Sequence, residues 1–368
     1  MKITILGAGG FIGSHMVDHL LARGEHEVVG LDIAEEKLND TRHPGLKFHL
    51  ADIRESPDLV DDLIRESDLV FDLIAYANPS LYVTTPVEVF ELNFMQNLRI
   101  ARSCIRHGAR LIQFSSAEVY GKTSEGGHYN EETSDMVFGP VNKQRWIYAT
   151  AKLLLDRVLY AYGSEGKLDY TIVRPFNFIG SRIDYLVPPG SMGGPRVFCH
   201  FLSALLGNGP LYMVDGGHVH RAFLHIDDAM DAVQILLDHP DETRNQIYNF
   251  GNPDNNVTVR QLGEMMLEIY TELVGTAPPC RFEDVSGEVF YGAGYEDSDR
   301  LPPDISKMQK LGWQPRHDLA STLRDAMAYY LEPAYEDRRR IAEPAGVPSQ
   351  MSVAEKGVQS QIPVAAMA

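Results

Sequence analysis

The sequence predicts an α/β protein, a doubly wound parallel sheet with a smaller, mostly helical second lobe. Short β-branched apolar runs alternate with stretches of 3.6-residue periodicity up to about residue 250. A glycine-spaced turn, GAGGFIG, joins the first such run to the first helical stretch. From about residue 178 the pattern changes to a Gly- and Pro-rich segment, SRIDYLVPPGSMGGPR, followed by helices near 195–207 and 258–275. Strands alternating with helices read as right-handed βαβ units, and so as a parallel sheet covered on both faces.

In chain order, residues 3–7 form the opening strand and SHMVDHLLARG the first helix. HEVVGLDI closes on Asp32, and LKFHLADI, LVFDLIAYA, ARLIQFSSAEVYG, YTIVRPFNF and QIYNFGN follow as further strands. Helices are expected over 90–107 and 145–163. The resulting division is a dinucleotide-binding domain over 1–177, to which 223–255 returns, and a second lobe from 178–222 and 256–333. Residues 334–368 carry Pro, Ser, Gln and Ala without periodicity and are expected to be a flexible tail.

At 368 residues the chain suits two lobes better than one core. Its formal charge of -18 argues against a nucleic-acid partner, although a few arginines in one cleft still suffice for a diphosphate. Cys104, Cys199 and Cys280 form neither a disulfide framework nor a zinc pattern. His218, His220 and His225 have no carboxylate or cysteine at ligand spacing, so no metal is expected. There is no basic leader before MKITILG and no apolar run of the roughly 18 residues a membrane span needs, so a cytoplasmic protein without membrane partners is expected.

Gly7, Gly10 and Gly13 fall where a strand hands over to a helix. Glycines there allow a tight turn, backbone approach to a pyrophosphate and close helix–strand packing. Phe11 and Ile12 lie at the helix N-terminus, whose free N–H groups and dipole favour phosphate. Asp32 closes the next strand, roughly 20 residues on, where it accepts from ribose hydroxyls and repels a 2′-phosphate. The expected cofactor is therefore NAD. Asp52 and Ile53 end the third strand, toward the adenine or as a simple strand cap, and Ala75 and Ala77 end the fourth with small residues. Asn93 is expected to anchor the backbone turn there.

Ser116 and Glu118 sit at the carboxyl end of a strand, the edge where open α/β sheets bind ligands. Tyr148 and Lys152 stand at i and i+4, roughly 5–6 Å apart at Cβ on one helical face. A lysine beside a phenol favours the phenolate and makes a general base, although an isolated pair of this kind also fits an ordinary surface helix. The glycine loop, Asp32, Ser116, Tyr148 and Lys152 together resemble the extended short-chain dehydrogenase/reductases that act on nucleotide sugars, with their Rossmann-like domain.

GPVNKQRWIYATAKLLLDRVLYAYG, TIVRPFNFIGSRID, VDGGHVHRAF and FYGAGYEDSD are similar to UDP-glucuronic acid decarboxylases of polymyxin resistance and to plant UDP-apiose/UDP-xylose synthases. The resemblance implies NAD-dependent oxidation of a UDP-sugar at C4. Tyr148 would take the hydroxyl proton, Ser116 would bond the same oxygen, and Lys152 would bind the nicotinamide ribose. Glu118 would manage protons near C5. Asn177, Arg182, Arg196, Arg221, Tyr295 and Arg300 would form the substrate set. A homodimer through the helices near 90–107 and 145–163 is implied as well. The expected outcome is decarboxylation of UDP-glucuronate to a UDP-pentose or its 4-keto form. A 4-epimerase is the alternative, another epimerase or dehydratase follows, and a non-catalytic NAD sensor comes last.

Two departures stand out. Ala117 and Ala77 occupy positions where the apiose synthases have thiols, which puts ring rearrangement in doubt. The family arginine after GYxDxxx falls on Leu301 in an ungapped match, with Arg300 one place earlier.

Overall fold

The computed structural model describes residues 1–39, 45–122, 126–297 and 299–333. The tail expected over 334–368 lies outside the described residues. In the first part of the chain β1 (Lys2–Leu6), α1 (Phe11–Arg23), β2 (Glu27–Asp32), β3 (Leu46–Leu50), α2 (Pro57–Arg65) and β4 (Leu69–Asp72) alternate. Next come α3 (Pro79–Thr84), α4 (Pro86–Phe90), α5 (Asn97–His107), β5 (Arg110–Phe114), α6 (Ile147–Ser164), β6 (Tyr170–Pro175) and β7 (Asn177–Ile179). The remainder holds α7 (Val197–Gly207), β8 (Leu211–Val214), β9 (His220–His225), α8 (Ile226–Asp238), β10 (Gln246–Phe250), β11 (Asn256–Thr258) and α9 (Val259–Val274). β12 (Phe282–Val285), α10 (Gly287–Tyr291), α11 (Ser306–Lys310) and α12 (Leu319–Leu331) complete it.

The main sheet runs β10-β6-β5-β4-β1-β2-β3, and every pairing in it is parallel. Strands covered on both faces are mostly apolar, and Ile3, Ile5, Leu6, Leu111 and Ile112 are all fully buried. Helices α2, α5 and α6 pack on one face, around Leu63, Ile100 and Leu155. Helices α1 and α8 pack on the other, around Met16 and Val233.

The second lobe holds more strand than its composition suggests. β7, β9 and β11 form a three-stranded sheet, and β8 pairs with β12. Residues 223–225 belong to that small sheet, so the chain rejoins the main fold only with α8 and β10. Local signals set the helix ends here, such as the capping box of Thr258 and Gln261 opening α9 and the Asp318 cap on α12.

The helix expected over 90–107 is interrupted. Glu91–Gln96 forms a π-helical segment between α4 and α5. Such bulges re-aim side chains, and Asn93 within it accepts from the Tyr76 amide at 2.8 Å and donates to the Tyr76 carbonyl at 3.0 Å. The strand-end turn that precedes it is thereby fixed.

Candidate active site

At the carboxyl edge of the main sheet lies a cavity of about 520 Å³ whose wall includes both lobes. Gly7 begins it with φ 93, a conformation that suits glycine. A Cβ on Gly13 would stand 2.0 Å from the Gly7 carbonyl oxygen, and one on Gly9 would stand 1.8 Å from that of Ala34. Gly10 caps α1 without a side-chain bond, so the first-turn amides at Phe11 and Ile12 face the cavity those residues line. This cradle fits the pyrophosphate of a dinucleotide. Asp32 has a bracing task beside it: its Oδ2 accepts from the Gly9 amide at 2.9 Å and its Oδ1 from the Ile33 amide at 2.7 Å. Burial raises the Asp32 pKa, and these amides pull it back.

Ala75 and Ala77 line the cavity, as do Ser116, Glu118, Tyr148, Lys152 and Asn177. Arg196, Arg221, Tyr295 and Arg300 reach it from the second lobe. Four expected residues do not line it: Asp32, which braces the glycine loop, and Asp52, Ile53 and Arg182. Asp52 spends its carboxylate on Arg54, at 2.6 Å from Nη2. Ile53 is packed into the core beside Val60 and Leu63. Arg182 has φ 61, which turns its guanidinium to Asp18 at 2.7 Å and the Lys37 carbonyl at 3.2 Å.

Tyr148 stacks on Tyr82, ring centroids 4.7 Å apart and planes 11° from parallel. Burial pushes its phenol up to about 12, against a hydrogen bond with Ser116 that lowers it. The expected direct pull of Lys152 on that phenol is not realised here. The Lys152 ammonium, 1% exposed, donates to the Phe114 carbonyl at 2.9 Å. Its own pKa is lowered by burial, which Asp72 and Asp156 oppose.

Glu118 is gripped by two arginines, with Oε2 at 2.5 Å from Arg145 Nη1 and 2.9 Å from Arg300 Nη2. Burial works against its charge, but the Arg145 and Arg300 guanidinium groups prevail and hold it well below the usual carboxylate range. Arg300 also donates to the Gly121 carbonyl, while Leu301 turns to the apolar cluster of Tyr129 and Phe176. Arg221 pairs with Asp297 at 2.5 Å, and Tyr295 donates to the same carboxylate at 3.2 Å. Arg196 pairs with Asp184 at 2.6 Å and lies 5.3 Å over the Phe11 ring. Asn177 donates to the Ala222 carbonyl at 3.0 Å.

Sequence reasoning missed Arg145, Tyr82, Asp184 and Asp297. Arg145 had a signal, since it stands at i−3 from Tyr148 and so shares its side of the chain. Asp184 and Asp297 stand two residues beyond Arg182 and Tyr295, inside the SRID and GYED segments, whereas Tyr82 had no such signal.

Among the described residues His225, His317 and Asp325 gather within metal-ligand reach. His225 Nδ1 already accepts from the Asp227 amide at 3.1 Å, capping α8, and His317 Nδ1 meets Asp228 at 2.9 Å. A metal on His225 Nε2 would need both ring nitrogens without protons, so the arrangement suits a helix cap.

Residues 3–251 match the family model described as the NAD dependent epimerase/dehydratase family. The chain is 40% identical over 356 residues to UDP-D-apiose/UDP-D-xylose synthase 2 of Arabidopsis thaliana, covering 89% of this chain and 91% of that protein. It is likewise 40% identical over 354 residues to UDP-D-apiose/UDP-D-xylose synthase of Oryza sativa subsp. japonica, covering 89% of each. The crystal structure of the PbgP3 protein from Burkholderia pseudomallei superposes with a TM-score of 0.81 at 34% identity, over 92% of this chain and 98% of that one.

Proposed function

The chain belongs to the NAD dependent epimerase/dehydratase family, and from that premise we propose that it converts UDP-glucuronate through a 4-keto sugar, with decarboxylation to a UDP-pentose or UDP-4-keto-pentose. The observation that carries this reading is the convergence of Ser116, Tyr148 and the arginine-held Glu118 on the cavity that the glycine loop opens. Relatives at 40% identity that are named UDP-D-apiose/UDP-D-xylose synthase support it.

NAD held at the glycine cradle would supply the hydride acceptor for sugar C4, and hydride return to C4 would be needed only for a UDP-pentose product, not for its 4-keto form. Tyr148 takes the proton from the 4-hydroxyl, and Ser116, hydrogen-bonded to that phenol, steadies the oxygen. Oxidation at C4 leaves a ketone β to the C6 carboxylate. Loss of carbon dioxide then places an electron pair that delocalises into that ketone. Ser116 and Tyr148 stabilise the enolate oxygen by hydrogen bonds, an electrostatic role suited to a buried site. Proton return at C5 falls to Arg300, whose guanidinium burial makes more acidic, while ionised Glu118 holds it in place. Arg196 and Arg221 offer the planar fork that suits a diphosphate.

Epimerisation at C4 with the carboxylate kept draws on the same Ser116, Tyr148 and Lys152, and Ala77 and Ala117 add no proton to the cavity wall to discriminate. Asn177, Tyr295 and Asp32 belong to this proposal as substrate and ribose contacts, as does a homodimer in the cytoplasm. No helix among the described residues is long and apolar enough to cross a membrane. Incubation of the purified protein with UDP-glucuronate and NAD tests the reading by mass spectrometry of the product. A UDP-pentose with carbon dioxide release is expected; UDP-galacturonate would overturn decarboxylation in favour of epimerisation.

A further inference from the structure

Lys152 is enclosed, and its ammonium hydrogen bond goes to the last residue of β5, Phe114. One strand over, Asp72 ends β4 in register with Gln113, the residue before Phe114. Asp72 is fully buried. Its Oδ1 accepts from the Ile74 amide at 3.1 Å, while its Oδ2 has no hydrogen-bond partner among the described residues. A buried carboxylate in that condition is costly without a charge nearby to compensate it.

We propose that Asp72 is the buried counter-ion of Lys152, a positioning residue that keeps the ammonium charged and seated on the Phe114 carbonyl, one helical turn from Tyr148. The surroundings leave few other compensating charges. From α5 the neighbours are the Cys104 thiol, pushed up by burial and then by the Asp72 charge, and the Asn97 amide, which donates to the Ile74 carbonyl at 3.0 Å. From β5 comes Gln113, whose amide donates to the Asp72 carbonyl at 3.3 Å and whose side chain adds a smaller pull toward the ionised carboxyl. From α6 come Lys152 and, one turn on, Asp156, which Arg174 of β6 holds at 3.1 and 3.2 Å. Asp156 is thus already compensated, and Asp72 is not. Burial pushes Asp72 up to about 6 even with Lys152 opposing the rise.

The inference rests on the proposed roles of Tyr148 and Lys152, and its first test does not depend on turnover. Thermal unfolding of the full chain is compared for the parent, Asp72→Asn, Lys152→Met and the double variant at pH 7.5. Asparagine keeps the Ile74 cap and removes only the charge. Asp72→Asn is expected to lower the midpoint in the parent but to leave it unchanged or raise it beside Lys152→Met. The same loss in both backgrounds overturns the pairing. The second test is the pH profile of kcat with UDP-glucuronate and NAD. Asp72→Asn is expected to move the alkaline limb down by about one pH unit while KM for the sugar nucleotide changes less than about twofold. An unshifted limb overturns the positioning role. A parent that does not turn over UDP-glucuronate would strike the proposed function instead, and the unfolding cycle would still decide the pairing.

Discussion

Glu118 Oε2 accepts from Arg300 Nη2 at 2.9 Å although 182 residues separate them. Arg145 meets the same oxygen at 2.5 Å, so one carboxylate links the main sheet, the start of α6 and the second lobe. Removing one partner leaves a partly buried charge half compensated. Arg300→Ala is expected to cost roughly 3 kcal/mol of unfolding free energy in urea titration and at least ~10²-fold in kcat with UDP-glucuronate. A variant with parent-like values in both would detach this arginine from the site.

The same carboxylate sets an acid limit. Its folded pKa lies below the unfolded value, so its stabilising contribution is present above the unfolded pKa of about 4.3 and is lost as pH falls through the folded one. Glu118→Gln is expected to unfold at a lower temperature at pH 7 and to show a shallower loss of midpoint below pH 5. Calorimetry across pH 3–7 reads both.

Tyr148 gives a second pH signature, at the alkaline end. With its phenol raised to about 12, the basic form grows as pH rises, so kcat should climb from pH 6 to 9. Tyr148→Phe should lose about 10³-fold in kcat with the fold retained. Ser116→Ala removes a bond that lowers the phenol pKa and should carry the profile further toward alkaline pH.

The glycine loop separates crowding from ligand approach. Gly13→Ala would bring a Cβ within 2.0 Å of the Gly7 oxygen and should abolish NAD binding together with proper folding. Gly10→Ala meets the same oxygen at 3.3 Å. It is expected to fold and to bind NAD about tenfold more weakly, from intrusion on the phosphates alone. Tryptophan fluorescence titration with NAD and circular dichroism distinguish the two cases.

Much of this was legible in the sequence because it is local. A glycine turn after a strand, an aspartate closing the next strand, and a tyrosine and lysine one turn apart are read from neighbours in the chain. Arg300 was legible only by its distance from the GYxD segment, and its pairing with Glu118 required the fold. Arg182 went astray for a local reason that residue type does not reveal: a positive φ turns it to Asp18. The Glu91–Gln96 π segment was hidden because its apolar spacing still suits an α-helix. Strands of three residues such as β7 and β11 carry too little periodicity to be read at all.

The span between Glu118 and Arg300 also bears on biosynthesis. As the nascent chain leaves the ribosome, the glutamate emerges well before its second arginine has been translated. Until then only Arg145 can shelter it, so that corner of the molecule cannot close before residue 300 is made, whereas the dinucleotide cradle draws on residues near the start of the chain.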